Sequence, residues 1–237
     1  MCCPRVKKES DLIAYLDNSA TTRPTDGVVA AMAAAMREGY FNPSSLYAPA
    51  LHSERAMRAC REAVASAISV DPGHVYFTSG GTEANNLAIL GAMASLRQPG
   101  RAIAFADQHP SCLEPIAALQ KAGHRVTVVG VDGQGQPDWA ALDAALMDRP
   151  DLVTCLQVNN ETGAVPDLKR LIATVRAAAP GALVHVDGVQ GFLRVPFDGR
   201  AVDLYALSAH KIHGPKGVGA LYVAPGARLA PRQLGGG

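Results

Sequence analysis

The stretch HVYFTSGGTEANNLAILGAMASLR, residues 74–97, joins a short β-rich run to a helical pattern and decides the fold class. Residues 74–78 form a short run with β-branched and aromatic side chains, whereas residues 83–97 carry Ala and Leu at helical spacing. The small residues between them are typical of a tight turn. A strand followed at once by a helix is the unit from which mostly parallel sheets are built.

The same alternation continues along the chain. Further β-rich runs lie at residues 102–106, 125–131, 152–158, 183–186, 204–207 and 217–223. Helical patterns fill residues 110–122, 139–147 and 168–178 between them, and residues 27–37 and 48–68 before them. We therefore expect an α/β fold, with a mostly parallel sheet flanked by helices, in a single domain.

The composition narrows the possible partners. The 237 residues include 22 Lys and Arg against 21 Asp and Glu, so the net charge of +1 gives no field that would gather nucleic acid or an anionic membrane. The longest apolar run, residues 28–36, is far shorter than the ~20 residues that span a bilayer. We expect a cytoplasmic protein with no nucleic-acid or membrane partner.

The five cysteines are scattered and odd in number, at positions 2, 3, 60, 112 and 155. Their spacing supports neither a disulfide framework nor a metal site, and the adjacent pair at the amino terminus is interpreted as incidental.

Residues 79–83, SGGTE, follow the first predicted strand and open a helix. Small residues let a ligand approach the backbone, the free N–H groups of a first helical turn favour an anion, and Thr82 can add a hydroxyl donor. A phosphate would fit there, and a plain turn with a helix cap is the alternative. The dinucleotide fingerprint G-x-G-x-x-G and the Walker pattern are both missing.

Two charged residues follow later strands. Asp187 directly follows the run 183–186. A carboxylate there is costly to bury unless a cation or hydrogen-bond donors lie next to it. The alternative is that Asp187 caps the next turn. Lys211 comes after the donors Ser208 and His210, and a desolvated lysine can form a Schiff base with an aldehyde. A phosphate cradle, an acid and such a lysine at one sheet edge are what pyridoxal 5′-phosphate requires.

Six motifs in order resemble the cysteine desulfurases, which are class V aminotransferases and fold type I pyridoxal-phosphate enzymes. They are YLDNSATT (15–22), NPSS (42–45), TSGGTEANN (78–86), NNETG (159–163), HVDGVQ (185–190) and SAHKIHGPKGVGALYV (208–223). The likeness implies that residues 1–237 form the cofactor-binding large domain of such a transferase, with an amino-terminal arm at residues 1–25.

The resemblance also implies roles for single residues. Lys211 would bind the cofactor covalently, Asp187 would pair with the pyridine nitrogen, and His109 would stack on the ring and relay protons. From the residues alone, His109 is interpreted as an ordinary loop histidine. The phenolic oxygen would be met by Asn160 and Gln190. The phosphate would be held by Gly81, Thr82, Ser208 and His210.

The function implied by the resemblance is the conversion of L-cysteine to L-alanine, with the sulfur kept as an enzyme persulfide for iron-sulfur cluster assembly or thio-modification. Such enzymes are homodimers that serve a sulfur-acceptor or scaffold protein. A selenocysteine lyase, another class V reaction and an inactive cofactor-binding fragment are the alternatives.

Relatives continue beyond a glycine stretch like residues 235–237 into a smaller domain that carries the nucleophilic cysteine, so a truncated chain without that domain is expected. Cys60, Cys112 and Cys155 fall in elements expected to be packed, where a thiol is usually inert. The catalytic competence of the chain by itself therefore stays open.

Overall fold

The computed structural model describes residues 14–235, which form a seven-stranded sheet with helices on both faces. The strands are β1 (Val75–Thr78), β2 (Arg101–Phe105), β3 (Arg125–Val129), β4 (Leu152–Leu156), β5 (Leu183–Asp187), β6 (Leu204–Ser208) and β7 (Gly219–Val223). The helices are α1 (Asp26–Glu38), α2 (Ala48–Ala67), α3 (Gly81–Ala94), α4 (Pro110–Lys121), α5 (Trp139–Leu146) and α6 (Leu168–Ala178). No helix in this part of the chain is long and apolar enough to cross a membrane.

The strand order is β1-β7-β6-β5-β4-β2-β3. Strands β2 to β6 pair in parallel, whereas β7 runs antiparallel to both β6 and β1. Because two reversals cancel, β1 points the same way as β5 and β6. The predicted α/β class with a mostly parallel sheet is confirmed, and the carboxyl ends of β1, β5 and β6 meet at one edge.

The central strands of the sheet are buried on both faces. One face, with Val153, Val186 and Tyr205, packs under α5 and α6, and the other, with Leu152 and Leu204, packs under α3 and α4. This explains why strands β4 and β6 are buried at every residue and mostly apolar instead of alternating. In β5 the second face carries His185 and Asp187, so polar groups enter the core there.

The predicted elements match the observed ones closely, and α6 covers the predicted residues 168–178. The main difference is α3, which begins at Gly81, two residues before the predicted start, and ends at Ala94, three residues before the predicted end. Glu83 in its first turn accepts hydrogen bonds from the Ser79 backbone N and hydroxyl, both at 2.6 Å. The turn residues are therefore already part of the helix start.

The two amino-terminal helices are far less buried than the sheet. None of the side chains of α1 is buried, and in α2 only Ala50, Ser53 and Ala65 are. Cys60 is exposed, so its predicted packing is wrong. It lies five residues from Ala65, and at 3.6 residues per turn the two side chains point about 140° apart.

The remaining cysteines divide into two groups. Cys112 in α4 and Cys155 in β4 are buried, as expected. Cys2 and Cys3 lie outside the described residues.

Candidate active site

A cavity of about 320 Å³ opens at the sheet edge where β1, β5 and β6 end. All nine residues proposed for the site from the sequence line it: Gly81, Thr82, His109, Asn160, Asp187, Gln190, Ser208, His210 and Lys211. The lining also includes residues that the sequence analysis did not select: Ala20, Ser111, Leu156, Val158 and Val189. The parallel strand ends thus bring together residues that lie up to 130 positions apart, from Gly81 to Lys211.

One end of the cavity is formed by the start of α3. Gly80 caps this helix without a side-chain hydrogen bond, which leaves the first-turn N–H groups available. The hydroxyls of Thr82 and Ser208 have no hydrogen-bond partner within residues 14–235. A Cβ on Gly81 would lie 2.5 Å from Val189 Cγ2, so any larger residue there would force the Val189 side chain to move. Free amides and hydroxyls around a helix start fit a phosphate group.

Asp187 forms the opposite end, at the terminus of β5. Its side chain accepts hydrogen bonds from Val189 N at 3.0 Å and Asn85 Nδ2 at 2.9 Å. Burial raises the pKa of the Asp187 carboxyl, and these two donors oppose the rise. No Lys, Arg or His of residues 14–235 forms an ion pair with it. A protonated ring nitrogen would supply the missing cation.

Lys211 lies between these ends, in the short 3₁₀ turn that follows β6. Its ammonium donates hydrogen bonds to the backbone oxygens of Ser19 and of Ala20, the latter at 2.9 Å. Burial, followed by the Arg194 guanidinium, lowers the pKa of Lys211. Both effects favour the neutral amine, which is the form that reacts with an aldehyde.

The amides of Gln190 and Asn160 reach the cavity from two loops. Gln190 Oε1 accepts from Arg194 at 2.6 Å, and its Nε2 donates to the Ser19 carbonyl at 2.7 Å. The loop of Asn160 is ordered by Asn159, whose Oδ1 accepts the N–H groups of the next two residues after Asn160, both at 2.9 Å. The Asn160 amide is thereby presented to the cavity.

Two histidines border the cavity. His109 caps α4, and its Nδ1 accepts the backbone N–H of Ser111 at 3.0 Å. His210 Nδ1 lies 3.1 Å from the Thr21 hydroxyl, and burial, with Lys211 and Lys216, lowers the pKa of His210. His210 is therefore kept neutral and can share hydrogen bonds with an anion's oxygens.

The segment 19–22 runs along the turn that holds Lys211. Thr22 is buried, and its N and Oγ1 both donate to the His210 carbonyl at 2.8 Å, while Oγ1 accepts from His213 N at 2.6 Å. These contacts hold the Ser19 and Ala20 carbonyls against Lys211. The SATT part of the motif at residues 15–22 was the only signal for this contact.

The fold is similar to that of solved NifS-like proteins. A solved NifS-like protein superposes with a TM-score of 0.90 at 33% identity, covering 94% of this chain and 62% of that one. The structure of SspA in complex with cysteine gives a TM-score of 0.86 at 31% identity, covering 94% and 65%. Residues 14–237 match the class-V aminotransferase family, and the chain belongs to it.

Curated relatives point the same way. The chain is 38% identical over 226 residues to cysteine desulfurase 2 of Trichormus variabilis. It is 39% identical over 229 residues to the cysteine desulfurase IscS of Anaeromyxobacter sp.. Each match covers 94% of this chain but only 56% of the relative, so the chain spans little more than half the length of these proteins. The resemblance found from the motifs is confirmed.

Proposed function

We propose that this chain forms the pyridoxal-phosphate site of a cysteine desulfurase. The observation that carries the proposal is that an open helix start suited to a phosphate, the buried acid Asp187 and Lys211 all line one cavity. The reaction would convert L-cysteine to L-alanine and pass the sulfur on as a persulfide. The relatives' names and a related structure that holds cysteine support this substrate.

The residues present fit the cofactor. When bound, pyridoxal phosphate supplies an electron sink that stabilises a carbanion at the substrate's α-carbon. The amides of the first turn of α3, with Thr82, Ser208 and His210, hold the phosphate. Asp187 keeps a proton on the ring nitrogen, because a buried carboxylate without a cation of its own favours one.

Other residues orient the ring and move protons. Asn160 and the amide nitrogen of Gln190 donate hydrogen bonds to the phenolic oxygen. The lowered pKa of Lys211 makes its Nζ available both as the attachment point and as a base for the α-proton. His109 exchanges protons through Nε2, since its Nδ1 is occupied by Ser111 N.

The thiols within residues 14–235 do not suit the role of sulfur acceptor. Burial, followed by the charge of Asp187, raises the pKa of the Cys112 thiol, and burial raises that of Cys155. Cys60 is exposed but lies on α2, outside the cavity. A catalytic thiolate must be accessible and partly ionised, so we propose that a thiol other than these three accepts the sulfur.

The wider assignments of the family extend this proposal. Apolar residues exposed on α1 and α2, among them Val29, Met36 and Leu51, support a homodimer or another partner. Delivery of sulfur to iron-sulfur cluster assembly or thio-modification is supported by the IscS name of one relative. The cytoplasmic location stays a prediction.

The proposal is tested by reducing the protein with borohydride in the presence of pyridoxal phosphate and mapping the adduct by mass spectrometry. We expect one adduct, on Lys211, and none in Lys211→Ala. The exposed neighbour Lys216 supplies the matched control, and Lys216→Ala should keep the full adduct. An adduct that survives in Lys211→Ala at normal yield would refute the assignment.

The reaction is tested separately by adding L-cysteine and an external thiol to the loaded protein. Sulfide and alanine in equal amounts support the desulfurase. A preference for selenocysteine, or bound cofactor with no reaction of either amino acid, would support a lyase or an inactive fragment instead.

A further inference from the structure

Asn85 and Ser111 connect Asp187 and His109 along the wall of the cavity. Asn85 Nδ2 lies 2.9 Å from Asp187 Oδ2 and 2.9 Å from Ser111 Oγ, and Ser111 Oγ lies 2.8 Å from His109 Nδ1. We propose that Asn85 is a positioning residue that favours the ionised form of Asp187 and, by orienting the Ser111 hydroxyl, adds a second donor to His109 Nδ1. This inference rests on the proposed function, in which Asp187 and His109 face the cofactor ring.

The orientation of the Asn85 amide follows from its partners. An ionised carboxylate can only accept hydrogen bonds, so the NH₂ group of Asn85 must face Asp187. One amide hydrogen points to Asp187 and the other to the Ser111 hydroxyl oxygen. With its oxygen occupied by this donor, the Ser111 hydroxyl turns its own hydrogen to His109 Nδ1.

The tautomer of His109 follows from the same donors. The backbone N–H of Ser111 also points at Nδ1, at 3.0 Å, and a backbone N–H can only donate. Two donors therefore converge on Nδ1, which must carry a lone pair. The ring proton of neutral His109 lies on Nε2, the nitrogen that stays available to the cavity.

The placement of Asn85 is costly to the fold, which argues against a purely structural role. The residue is fully buried, and its Oδ1 has no hydrogen-bond partner among the described residues. Buried polar atoms are nearly always paired, and an apolar side chain at this position of α3 would avoid the cost. What the amide adds is the pair of donors to Asp187 and Ser111.

Several titratable groups surround Asp187, and only some can carry positive charge. The surrounding groups are His109 at the start of α4, Cys112 in α4, Cys155 in β4, Tyr205 in β6, and Lys211. Of these, only His109 and Lys211 have a cationic form. The thiols and the phenol are neutral in the folded protein because their pKa values are raised by burial. Asn85 is thus a neutral donor that favours the charged carboxylate, and its loss should raise the pKa of Asp187 further.

The test uses nuclear magnetic resonance on the full chain, with and without pyridoxal phosphate, labelled with ¹⁵N at histidine and ¹³C at aspartate carboxyls. The His109 signal is assigned with His109→Gln. We expect the wild-type ring to be wholly in the Nε2–H form. In Asn85→Ala the Ser111 hydroxyl loses the donor that orients it, so the His109 Nδ1 signal should shift while the ring stays in the Nε2–H form held by the Ser111 backbone N–H, and the titration of Asp187 should move to higher pH.

Two further variants separate the steps. Ser111→Ala should change the His109 signal but leave the Asp187 titration in place, and it keeps the test valid should Asn85→Ala fail to fold. Asn86→Ala is the matched control, because the Asn86 amide donates only to Thr82 O of its own helix. Both readouts should stay unchanged in that variant.

An Nδ1–H ring in the wild type would overturn the inference, as would unchanged spectra in both Asn85→Ala and Ser111→Ala. Both readouts exist in protein without cofactor. Failure of the Lys211 adduct would therefore leave them interpretable, and a normal Lys211 adduct alongside unchanged spectra would refute this inference alone.

Discussion

The two ends of the cavity differ in how many of their polar groups already have partners. At the acid end, Asp187 accepts from Asn85 and Val189 and is 7% exposed. At the cradle end, the hydroxyls of Thr82 and Ser208 and the first-turn amides of α3 have none within the described residues. A buried carboxylate needs hydrogen-bond donors from the protein to favour its ionised form before a cation binds. The N–H and hydroxyl donors at an open helix start can instead hydrogen-bond to water, which an anion then displaces. We therefore propose that the cradle end contributes mainly to cofactor affinity and the acid end mainly to reactivity.

The largest effect is expected from Asp187→Asn, which replaces the carboxylate with a neutral group of the same shape and so tests the role of the acid end. Loss of one member of a buried charge pair costs about 3–5 kcal/mol, so exchange of the α-hydrogen of L-cysteine should fall by at least about a hundredfold. Cofactor should remain bound with a changed absorption spectrum. Exchange is followed by proton magnetic resonance in deuterium oxide.

The control for that variant is Asp198→Asn. Asp198 is exposed, does not line the cavity, and forms an ion pair with Arg200 at an N–O distance of 2.7 Å. It should exchange at the wild-type rate. An Asp187→Asn protein that also did so would show that the acid end has no part in reactivity.

The cradle end is tested by Thr82→Val and Ser208→Ala. A hydrogen bond to a charged group contributes about 1.5–3 kcal/mol, so each change should weaken pyridoxal phosphate binding by about 10- to 150-fold. Binding of pyridoxal, which lacks the phosphate, should change little. Both affinities are measured by absorbance titration, with Thr127→Val on β3 as the control. Equal losses for both ligands would contradict a phosphate site.

A smaller effect is expected from Gly81→Ala. The new methyl group would lie 2.5 Å from Val189 Cγ2, and overpacking typically costs about 1–3 kcal/mol. Cofactor affinity and the melting temperature should both fall, and adding Val189→Ala should restore them by making room. Gly181→Ala, where no atom lies within 4 Å of the added Cβ, should leave the cofactor affinity and the melting temperature unchanged. Failure of the double variant to recover would place the cause elsewhere.

The smallest effect concerns Lys211, which lies between the two ends. Because Arg194 helps to lower the pKa of Lys211, Arg194→Gln should raise that pKa and leave less neutral amine at a given pH. The pH profile for labelling of Lys211 by an aldehyde should move to higher pH, as read by peptide mass spectrometry. Arg194→Lys keeps the charge and should move the profile less, while the exposed Arg200→Gln should not move it. A shift to lower pH would contradict this.

Much of the cradle end could be predicted from the sequence, because SGGTE stands between a strand and a helix and small residues there have a direct physical reason. Asp187 and Lys211 were predictable for the same reason, since parallel strands end at one edge. Asn160, Gln190 and His109 came only from the family resemblance, because an amide or a histidine in a loop has many ordinary roles.

The support behind Asp187 was missed. Asn85 sits in a helical pattern with Gly81, Ala84 and Ala88, at spacings of three and four residues, and a lone Asn on such a small-residue face was the available signal. What the pattern could not show is that this face meets the end of β5. The error at Cys60 has the same origin, since helical spacing reveals that a face exists but not which face turns inward.

The pairing of β1 with β7 has a consequence for how the protein is made. Val75 pairs with Tyr222, so the first strand must wait for the last one before its backbone is satisfied on that side. At about 5–20 residues per second, synthesis of the 147 residues that follow Val75 up to Tyr222 takes about 7–30 s. During that interval the cradle lacks Ser208, and the unpaired backbone edge of β1 is available for pairing with other chains. Slow ribosomal passage through residues 204–223 should therefore increase aggregation of the nascent chain, and chaperone supply should relieve it.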